Sequence, residues 1–508
     1  MDLAVSERLD ALTSWHADWS GLRVAVLGLG MTGFSVADTL AELGARVTVY
    51  AAGTDEDRER ILEVIGAGFV RHPLDVVPEA LAADPPELVV VSPGFHPDHP
   101  VIAWAEARGI EVWGDIELAW RVRDKVNPAE WIVVTGTNGK TTTVQLTAAL
   151  LAAGGTRVAP AGNIGIPVLD AVRDPAGFDV LVVELSSYQL QRIRRVGPGR
   201  LEPWASVCLN LADDHLDWHG SAEAYRDAKA TVYWNTRTAC VYNRADEATR
   251  RMVEDAEVAE GARAIGFGLD VPGPSDFGIV DGILCDRAFL EERRTAALEI
   301  TTLEDLAARG LDAPHVVQNV LAASALARSF GTPVEAIRSA LTGFRLDEHR
   351  IELVSSAGGI RWIDDSKATN PHAAEASLAA FAPVVWIVGG LLKGVDVDEL
   401  VGRHVSRLRA AVVIGEDRAA LLAAFARHAP GLPVAEVTAD DTERVMPDAV
   451  ALAASLARPG DTVLLAPAAA SMDQFASYAD RGQRFHRAVD ELGGAGGGKL
   501  ADDAQPGD

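Results

Sequence analysis

Short apolar runs alternate with stretches of helical periodicity along nearly the whole chain. The runs of a first series lie at residues 22–28, 46–50 and 87–92, and helical patterns follow at residues 98–108 and 116–125. Strands that are covered by helices on both sheet faces form continuous apolar runs of this kind, because neither of their faces meets water. The pattern predicts a first α/β domain that closes near residue 122.

Two further series of the same kind follow. The second has its runs at residues 131–135, 180–184 and 206–210, with an irregular stretch at 244–312 where the pattern assigns no strands, and the third at 361–364, 384–388, 411–414 and 462–465. A chain of 508 residues exceeds what one hydrophobic core supports. We therefore predict an α/β fold of three domains: a Rossmann-like N-terminal domain (1–122), a central P-loop ATPase-type domain (123–345) and a C-terminal Rossmann-like domain (346–492). The glycine-rich residues 493–508 have little to bury and are expected to be a disordered tail.

Charge and composition narrow the classes of function. The formal net charge of −27 argues against a nucleic acid or an acidic membrane as a partner, since either would require a contiguous basic face. Small anionic ligands remain compatible, because a few local cations suffice to hold them. The chain shows neither a bilayer-length apolar run nor a basic leader, so we expect it to stay in the cytoplasm. Cys208, Cys240 and Cys285 lack metal-ligand spacing and are expected to be buried, unreactive thiols.

The most informative motif joins an apolar run to a glycine loop and a helix. It reads Gly136-Thr-Asn-Gly-Lys-Thr-Thr142. In such a loop the backbone N–H groups face phosphate oxygens, Lys140 adds a positive charge, and the hydroxyl of Thr141 or Thr142 can reach Mg²⁺. Val134 stands where the usual Walker pattern has its first glycine, and an ordinary glycine turn with a solvated lysine is the alternative. The strand before the loop and the helix after it favour ATP binding.

Polar residues also follow two other apolar runs of the second series. Glu184 ends the run at 180–184, and a loop rich in Asn and Asp that contains His215 follows the run at 206–210. Ligands of α/β sheets bind where strands end, and carboxylates suit Mg²⁺. A buried ion pair is the alternative for Glu184, and a simple turn is the alternative for the loop. Lys229, taken by itself, is expected to be a solvated lysine on an exposed helix.

In this order the motifs resemble those of the Mur ligases of peptidoglycan synthesis. The resemblance covers residues 22–490 and rests on the phosphate loop, on Glu184-Leu-Ser-Ser-Tyr-Gln189, on the His215 loop, on Tyr225-Arg-Asp-Ala-Lys229 and on Asp365-Ser-Lys-Ala-Thr-Asn370. The strings that begin at Glu184 and Asp365 are most similar to those of the family member that adds D-glutamate to UDP-N-acetylmuramoyl-L-alanine. They are less similar to those of the members that add L-alanine, a diamino acid or the terminal dipeptide.

The resemblance implies an ATP-driven amide synthesis. The alanyl carboxylate attacks the γ-phosphate to give an acyl phosphate and ADP, and the amine of D-glutamate then displaces phosphate. By analogy, the catalytic residues are Lys140, Glu184, His215 and Lys229. Two Mg²⁺ ions are implied, one held by Thr141 or Thr142 with Glu184, and one held by His215 and Lys229, with Lys229 as a carbamate.

The resemblance also implies binding residues for each substrate. Those for ATP are Gly136, Thr137, Asn138, Gly139, Lys140, Thr141, Thr142, Asn319, Arg350 and Asp365. Those for the UDP substrate are Gly30, Met31, Thr32, Gly33, Ser92, Pro93, Gly94, Asn163 and His215. Those for D-glutamate are Lys367, Thr369, Lys393, Ser471 and Tyr478. The chain departs from the family pattern at Val316, where an asparagine is common, and at Ala51 and Ala52, where the second strand usually ends in an acid and Asp55 is the nearest candidate.

Three other functions fit part of the sequence. The glycine turn at residues 28–33 also occurs in nicotinamide oxidoreductases, but the missing acid and the second phosphate loop count against that class. A noncatalytic, nucleotide-gated binding protein would leave the magnesium ligands idle. A folylpolyglutamate-type amide ligase is the more serious alternative, although such an enzyme needs no UDP-binding first domain. We expect a monomer.

Overall fold

The computed structural model of the protein describes residues 3–53, 56–392, 394–439 and 441–497. Asp55 and Lys393, both named above as site residues, therefore lie outside the described residues. The chain divides into two compact units, of which the first comprises residues up to 312 together with 316–344 and the second comprises residues 313–315 and those from 345 onward. The first unit contains two β-sheets and the second contains one.

The first sheet confirms the α/β pattern of the N-terminal region. Its strands are β1 (Arg23–Leu27), β2 (Arg46–Ala51), β3 (Gly68–Arg71), β4 (Leu88–Val91) and β5 (Glu111–Gly114). The accompanying helices are α1 (Leu3–Ala11), α2 (Met31–Glu42), α3 (Glu56–Val64), α4 (Glu79–Ala83), α5 (Pro100–Ala107) and α6 (Asp115–Arg121). All neighbouring strands are parallel, in the order β3-β2-β1-β4-β5. The three predicted strands are present, because their apolar side chains are buried on both faces of the sheet.

The second sheet forms the core of the central region. Its strands are β6 (Glu130–Thr135), β7 (Val158–Gly162), β8 (Val180–Glu184), β9 (Ala205–Cys208), β10 (Ala239–Asn243), β11 (Arg263–Phe267), β12 (Asp276–Val280), β13 (Ile283–Asp286) and β14 (Leu298–Thr302). Its helices are α7 (Lys140–Ala153), α8 (Val168–Arg173), α9 (Ser187–Leu190), α10 (Leu216–His219), α11 (Ala222–Ala230), α12 (Glu247–Glu254), α13 (Leu303–Ala307), α14 (Pro314–Ser329) and α15 (Val334–Gly343). The order is β14-β13-β12-β11-β10-β9-β6-β8-β7.

The irregular stretch at residues 244–312 supplies one end of this sheet. Strands β6 to β12 all run parallel. Strands β13 and β14 are antiparallel additions, with a register shift between Leu284 and Cys285. Strand β12 does not alternate, because its two buried residues, Phe277 and Gly278, are adjacent and its other three residues are half-buried. Short strands with such a mixed pattern give a weak sequence signal, which explains why the pattern assigned none here.

The third sheet lies in the second unit. Its strands are β15 (Glu352–Ser355), β16 (Arg361–Asp364), β17 (Val384–Gly389), β18 (Leu408–Ile414), β19 (Val434–Glu436) and β20 (Thr462–Leu465). Its helices are α16 (Pro371–Ala380), α17 (Asp398–His404), α18 (Ala419–His428), α19 (Thr442–Leu456) and α20 (Tyr478–Gly497). The order is β15-β16-β20-β17-β18-β19, and only the β15–β16 pair is antiparallel. Helix α20 continues to Gly497, and residues 498–508 of the predicted tail lie outside the described residues.

The structure bears on the predictions for the cysteines and for membrane-spanning segments. The three cysteines are free and buried, as predicted. Burial raises the pKa of Cys208 to about 12 and that of Cys240 to about 11, so both thiols stay protonated and unreactive. Within the described ranges, no helix combines the length and the apolar character that crossing a bilayer requires.

One hydrophobic core joins the first two sheets. It contains buried side chains from both, and the rings of Trp120 and Trp131 meet edge to face with their centroids 5.2 Å apart. An ion-pair network lies beside this core, in which Glu117 Oε1 accepts hydrogen bonds from Arg121 Nη2 at 2.9 Å and from Arg194 Nε at 2.8 Å. The side chains of Arg121 and Glu117 are 0% and 4% exposed. Burial raises the pKa of Glu117 even though two arginines lower it.

This network generates a stability prediction. We expect Glu117→Gln to lower the free energy of unfolding by about 3 kcal/mol, because it leaves Arg121 charged and buried without its counter-ion. Urea titration followed by tryptophan fluorescence measures the change. Glu223→Gln is the control, because the Glu223 and Arg226 side chains are 78% and 47% exposed and their pair is expected to contribute little. Equal shifts of the urea midpoint in the two variants would contradict the prediction.

Candidate active site

The loop between β6 and α7 is shaped for close approach of its backbone to a ligand. Gly136 and Gly139 have φ angles of 149° and 82°, which favour glycine. A Cβ atom on Gly139 would lie 2.5 Å from Oδ1 of Asn319, the predicted adenine contact, so Asn319 lies directly against the loop. At the start of α7, Thr142 is buried and Thr141 is only half-buried. Thr141 is therefore the hydroxyl that a ligand of the loop can reach more easily.

Asn210 holds this loop in place, although it was not among the predicted site residues. Its Oδ1 accepts a hydrogen bond from Asn138 N at 2.8 Å, and its Nδ2 donates to Asn138 O at 3.1 Å. Thr137 N donates to Asn210 O at 3.0 Å, and Thr137 Oγ1 lies 3.1 Å from the hydroxyl of Tyr225. Strand β9 pairs in parallel with β6, so a residue just past the end of β9 lies beside the loop. The position of Asn210 just after a strand that adjoins β6 is the feature that could have identified it as a site residue.

Two lysines converge on one backbone carbonyl of the loop. Lys140 Nζ donates to Gly136 O at 2.8 Å and to Thr137 O at 2.9 Å. Lys229 Nζ donates to the same Gly136 O at 2.9 Å and to Thr135 Oγ1 at 3.3 Å. Burial of Lys229 and, second, the charge of Lys140 lower the pKa of Lys229 from 10.5 to about 7. Above pH 7 the Lys229 side chain is therefore mostly a neutral amine.

The expectation of a solvated lysine, which came from Lys229 alone, is wrong. Lys229 is 2% exposed, and its Nζ lies 4.9 Å from the ring centroid of Tyr225. The two residues are four positions apart on α11 and share its buried face, while Arg226 and Asp227 lie on the exposed face. The error arose because lysine is usually exposed, whereas this helix turns the Tyr225 face inward.

Glu184 ends β8 with a buried carboxylate. Glu184 is 2% exposed, and its Oε1 accepts a hydrogen bond from Asn163 Nδ2 at 3.2 Å. Within the part of the chain that the structure describes, Oε2 is buried without a hydrogen-bond partner and Glu184 forms no salt bridge. The alternative of a buried ion pair is therefore not supported. An unsatisfied buried carboxylate oxygen is costly, and it fits a hard cation such as Mg²⁺.

His215 lies at the start of α10 and is held by an aromatic neighbour. Its φ angle of 52° is unusual for a residue with a side chain, and its Nδ1 lies 2.7 Å from the hydroxyl of Tyr188. Its Nε2 lies 3.6 Å from Asp214 Oδ2, and the His215 side chain is 41% exposed. The loop thus presents an imidazole and a carboxylate where a ligand can reach them. Tyr188 belongs to the Glu-Leu-Ser-Ser-Tyr-Gln string but was not predicted as a site residue.

The glycine turn after β1 borders a cavity of about 440 Å³. The cavity is lined by Gly28, Leu29, Gly30, Ala51, Ala52, Gly53, Pro73, Leu74 and Phe95. A Cβ on Gly33 would lie 2.0 Å from Gly28 O, so helix α2 packs directly on the turn. Of the other residues predicted to contact the UDP substrate, Met31 and Thr32 begin α2, Ser92, Pro93 and Gly94 follow β4, and Asn163 follows β7. Ala51 and Ala52 stand in the wall of this cavity, where the family pattern has an acid.

The second unit holds the two predicted ATP residues Arg350 and Asp365. Asp365 follows β16 and accepts hydrogen bonds from Ser377 Oγ and, at 3.3 Å, from Ile351 N. Burial raises the pKa of Asp365 from 3.8 to about 6, against the opposing effects of the Ser377 hydrogen bond and the Arg350 charge. Asp365 is thus a carboxyl group that changes its protonation close to neutral pH.

The structure also brings together two residues that were predicted to bind D-glutamate. Lys367 Nζ lies 5.2 Å from the ring centroid of Tyr478 and 3.8 Å from Asp347 Oδ2. Thr369 lies two residues beyond Lys367, and Ser471 is buried. An ammonium group beside a phenol ring suits a carboxylate ligand. Lys393 lies outside the described residues.

Family models match the three regions of the chain. They are "Mur ligase MurD-like, N-terminal domain" at residues 22–114, "Mur ligase middle domain" at 134–327 and "Mur ligase, glutamate ligase domain" at 349–469. The chain is 67% identical to a UDP-N-acetylmuramoylalanine–D-glutamate ligase of Leifsonia xyli subsp. xyli, over 99% of each chain. It is 50% identical to the protein of the same name from Tropheryma whipplei (strain Twist), over 96% of this chain and 99% of that one.

Solved structures show similarity of fold. A UDP-N-acetylmuramate–alanine ligase of Thermotoga maritima aligns with a TM-score of 0.53 and 19% identity, over 93% of this chain and 99% of that one. A MurF ligase of the same organism, in complex with ADP, aligns with a TM-score of 0.53 and 18% identity, over 95% and 99%. At such low identity these likenesses support the architecture and say nothing of the substrate.

The contact between Gly139 and Asn319 generates a prediction. We expect Gly139→Ala to weaken ATP binding about tenfold or more, equal to about 1.4 kcal/mol, because the new Cβ must displace Asn319 from the loop. Titration with a fluorescent ATP analogue measures the affinity. Gly155→Ala is the matched control, because Gly155 lies just after the same helix with a φ angle of 87° and no atom within 4 Å of an added Cβ. Similar losses in the two variants would show that backbone strain, and not Asn319, is responsible.

Proposed function

The chain belongs to the Mur ligase family, and we propose that it adds D-glutamate to UDP-N-acetylmuramoyl-L-alanine in an ATP-driven step of peptidoglycan precursor synthesis. The observation that carries the proposal is the 67% identity to a ligase of that name over 99% of both chains. The cavity beside the glycine turn supports a UDP-linked substrate over a folylpolyglutamate-type substrate, because only the former needs a nucleotide site in the first sheet.

The reaction joins two groups that do not react unaided. A carboxylate oxygen of the alanyl substrate attacks the γ-phosphorus, the bond to the β-phosphate oxygen breaks, and ADP leaves. The amine of D-glutamate then attacks the carbonyl carbon of the acyl phosphate, phosphate leaves with the bonding electrons, and the nitrogen loses its proton. Positive charge is needed throughout, since every reactant is anionic.

Residues of the phosphate loop supply part of that charge. Lys140 is held by the carbonyl groups of Gly136 and Thr137, at the start of a helix whose N–H groups also attract anions. We assign to Lys140 the binding of the terminal phosphates. Asn319, against Gly139, is assigned to the adenine.

Two Mg²⁺ ions would complete the central site. The unpartnered Oε2 of Glu184 and the accessible hydroxyl of Thr141 fit the first ion, and His215 with Lys229 fits the second. When bound, such ions offset the negative charge of the phosphates and of the attacking carboxylate. Asn163 orients Glu184 by its hydrogen bond to Oε1.

Lys229 is assigned to this second ion as a carbamate. Carbamate formation joins the nitrogen of a neutral amine to the carbon of CO₂ and releases one proton. The lowered pKa of Lys229 makes the neutral amine available near pH 7, whereas an ordinary lysine is protonated there. The product carries a negative charge that Lys140 attracts, whereas the protonated form of Lys229 would be repelled by Lys140.

The second unit is assigned to the amino acid. Lys367 beside Tyr478, together with Thr369, Lys393 and Ser471, would hold the two carboxylates of D-glutamate. Arg350 and Asp365 are assigned to ATP. We further propose that the protein acts in the cytoplasm, because ATP and UDP-linked precursors are cytoplasmic compounds. The monomer stays a prediction from the sequence.

Substrate specificity is the direct test of the proposed function. With UDP-N-acetylmuramoyl-L-alanine and Mg²⁺-ATP, we expect phosphate release with D-glutamate to exceed that with L-glutamate, L-alanine or a diamino acid. Phosphate is measured by a coupled colorimetric assay, with ATP hydrolysis in the absence of an amino acid as the blank. Equal rates with all four amino acids would refute the assignment of D-glutamate, and release without any acceptor would indicate an ATPase instead.

The carbamate has a test of its own. With ¹³C-labelled bicarbonate, we expect a carbamate resonance that grows between pH 6 and pH 8, because the Lys229 amine loses its proton as the pH rises through its pKa of about 7. The resonance should be absent in Lys229→Arg and retained in Lys125→Arg, which alters a surface lysine paired with Glu42. A resonance that persists in Lys229→Arg, or that appears only near pH 10, would refute the assignment.

A further inference from the structure

Four side chains able to bind a metal meet in the second unit, apart from the residues assigned above to substrates. They are His349, Glu352, Asp364 and His486, and one ligand atom of each lies within 4.8 Å of the others. We call this group the two-histidine cluster. Its members come from three parts of the fold: His349 and Glu352 from the entry to β15, Asp364 from the end of β16, and His486 from α20.

The distances within the cluster are close to those around a four-coordinate ion. His486 Nε2 lies 3.0 Å from Asp364 Oδ2 and 3.6 Å from Glu352 Oε2, and His349 Nδ1 lies 2.6 Å from Asp364 Oδ2. In a tetrahedral zinc site with bonds of about 2.0–2.1 Å, neighbouring ligand atoms are about 3.3 Å apart. To reach that spacing, the His349–Asp364 pair must separate by about 0.7 Å and the His486–Asp364 pair by about 0.3 Å, and all four ligand atoms already lie within 4.8 Å of one another.

The carboxylates of the cluster are already held in place by the backbone. Asp364 Oδ1 accepts a hydrogen bond from Ser366 N at 2.8 Å, and Glu352 Oε2 accepts one from His349 N at 2.8 Å. Such supporting bonds are what orients the ligands of known metal sites. His486 Nε2 is buried and, within the described chain, makes no well-directed hydrogen bond in spite of its distance to Asp364. This ring nitrogen faces both carboxylates of the cluster, which is the position that a metal ligand would need.

A glycine in helix α20 allows His486 to lie close to His349. Gly482 lies one helical turn before His486, and a Cβ atom on Gly482 would lie 2.2 Å from His349 Nδ1. Residues four apart share a helix face, so the missing side chain at Gly482 makes room for the His349 ring beside His486. The two imidazole rings meet edge to face with their centroids 5.6 Å apart.

We propose that the two-histidine cluster binds a divalent transition-metal ion, with Zn²⁺ as the best fit. Two imidazole nitrogens and two carboxylate oxygens are a donor set that suits Zn²⁺, whereas Mg²⁺ prefers oxygen ligands and six-coordination. Two carboxylates also neutralise the charge of the ion. The site is thus distinct in chemistry from the magnesium positions assigned to Glu184, His215 and Lys229.

The ion would act as a structural cross-link. Two of its ligands directly precede Arg350 and Asp365, so it would tie both chain segments to α20. This consequence rests on the proposed function, because it concerns residues assigned to ATP, but the binding of the ion does not. The cluster would bind Zn²⁺ even if the enzyme had another substrate.

Zinc titration of the full-length protein tests the inference. After treatment with a chelator, and with excess Mg²⁺ present, we expect calorimetry to show one tightly bound Zn²⁺ per chain. His486→Gln and Glu352→Gln should each weaken this binding at least about tenfold, as loss of a metal-site group does. Gly482→Ala should weaken it as well, because its Cβ collides with the His349 ring. Circular dichroism verifies that each variant is folded.

Two control variants make the test specific. His428→Gln removes a histidine that pairs with Asp398 at 3.1 Å elsewhere in the same unit, and it should leave Zn²⁺ binding unchanged. Glu184→Gln should also leave it unchanged, which separates this site from the catalytic one. Co²⁺ in place of Zn²⁺ should give the strong visible absorption of a four-coordinate ion. Absence of tight Zn²⁺ binding, or binding that His486→Gln and Glu352→Gln do not alter, would overturn the proposal and leave the cluster as a hydrogen-bond network.

Discussion

The central site depends on one oxygen atom, the carbonyl of Gly136. It accepts hydrogen bonds from both Lys140 and Lys229, which brings two amines to the same point of a phosphate loop. Burial makes it costly to charge Lys229, and repulsion by the nearby Lys140 ammonium adds to that cost. The arrangement is stable when Lys140 carries the charge and Lys229 gives up its proton. This division of charge between the two lysines is the basis of the roles proposed for them, with Lys140 as the cation that binds phosphate and Lys229 as the amine that forms a carbamate.

The order of strands in the central sheet places the remaining groups around that oxygen. Strand β6 lies between β8 and β9, and all three run parallel. Their carboxyl ends therefore lie side by side, so that Glu184, the phosphate loop and Asn210 share one edge of the sheet. Ligands of α/β sheets generally bind at this edge, just beyond the carboxyl ends of the strands. Asn210 contributes no charge, but its hydrogen bonds to Asn138 set the shape of the loop.

The two compact units use carboxylates in different ways. In the first unit, the Glu184 carboxylate has an unpaired buried oxygen and a neutral amide neighbour, which suits a hard cation. In the second unit, Asp364 lies against two imidazoles, which suits a softer ion or a proton. Asp365, the next residue, is buried beside Ser377 and has a raised pKa. Adjacent carboxyl groups at the end of β16 thus face different surroundings, because successive residues leave a strand on opposite sides.

The sequence by itself determined the three α/β series, the phosphate loop and half of the strands in the part of the chain that the structure describes. Strands β8 and β20 begin and end where the pattern predicted, because a strand that is buried on both faces must be apolar throughout. The tertiary structure alone decided the burial and lowered pKa of Lys229, the hydrogen bonds of Asn210 to the loop, the short strands β11–β14, and the meeting of His349 with His486. These features depend on which helix face turns inward and on contacts between residues far apart in the chain. A local pattern of apolar and polar positions carries no information about contacts between distant residues, and a lysine is not a residue from which a buried helix face is recognised.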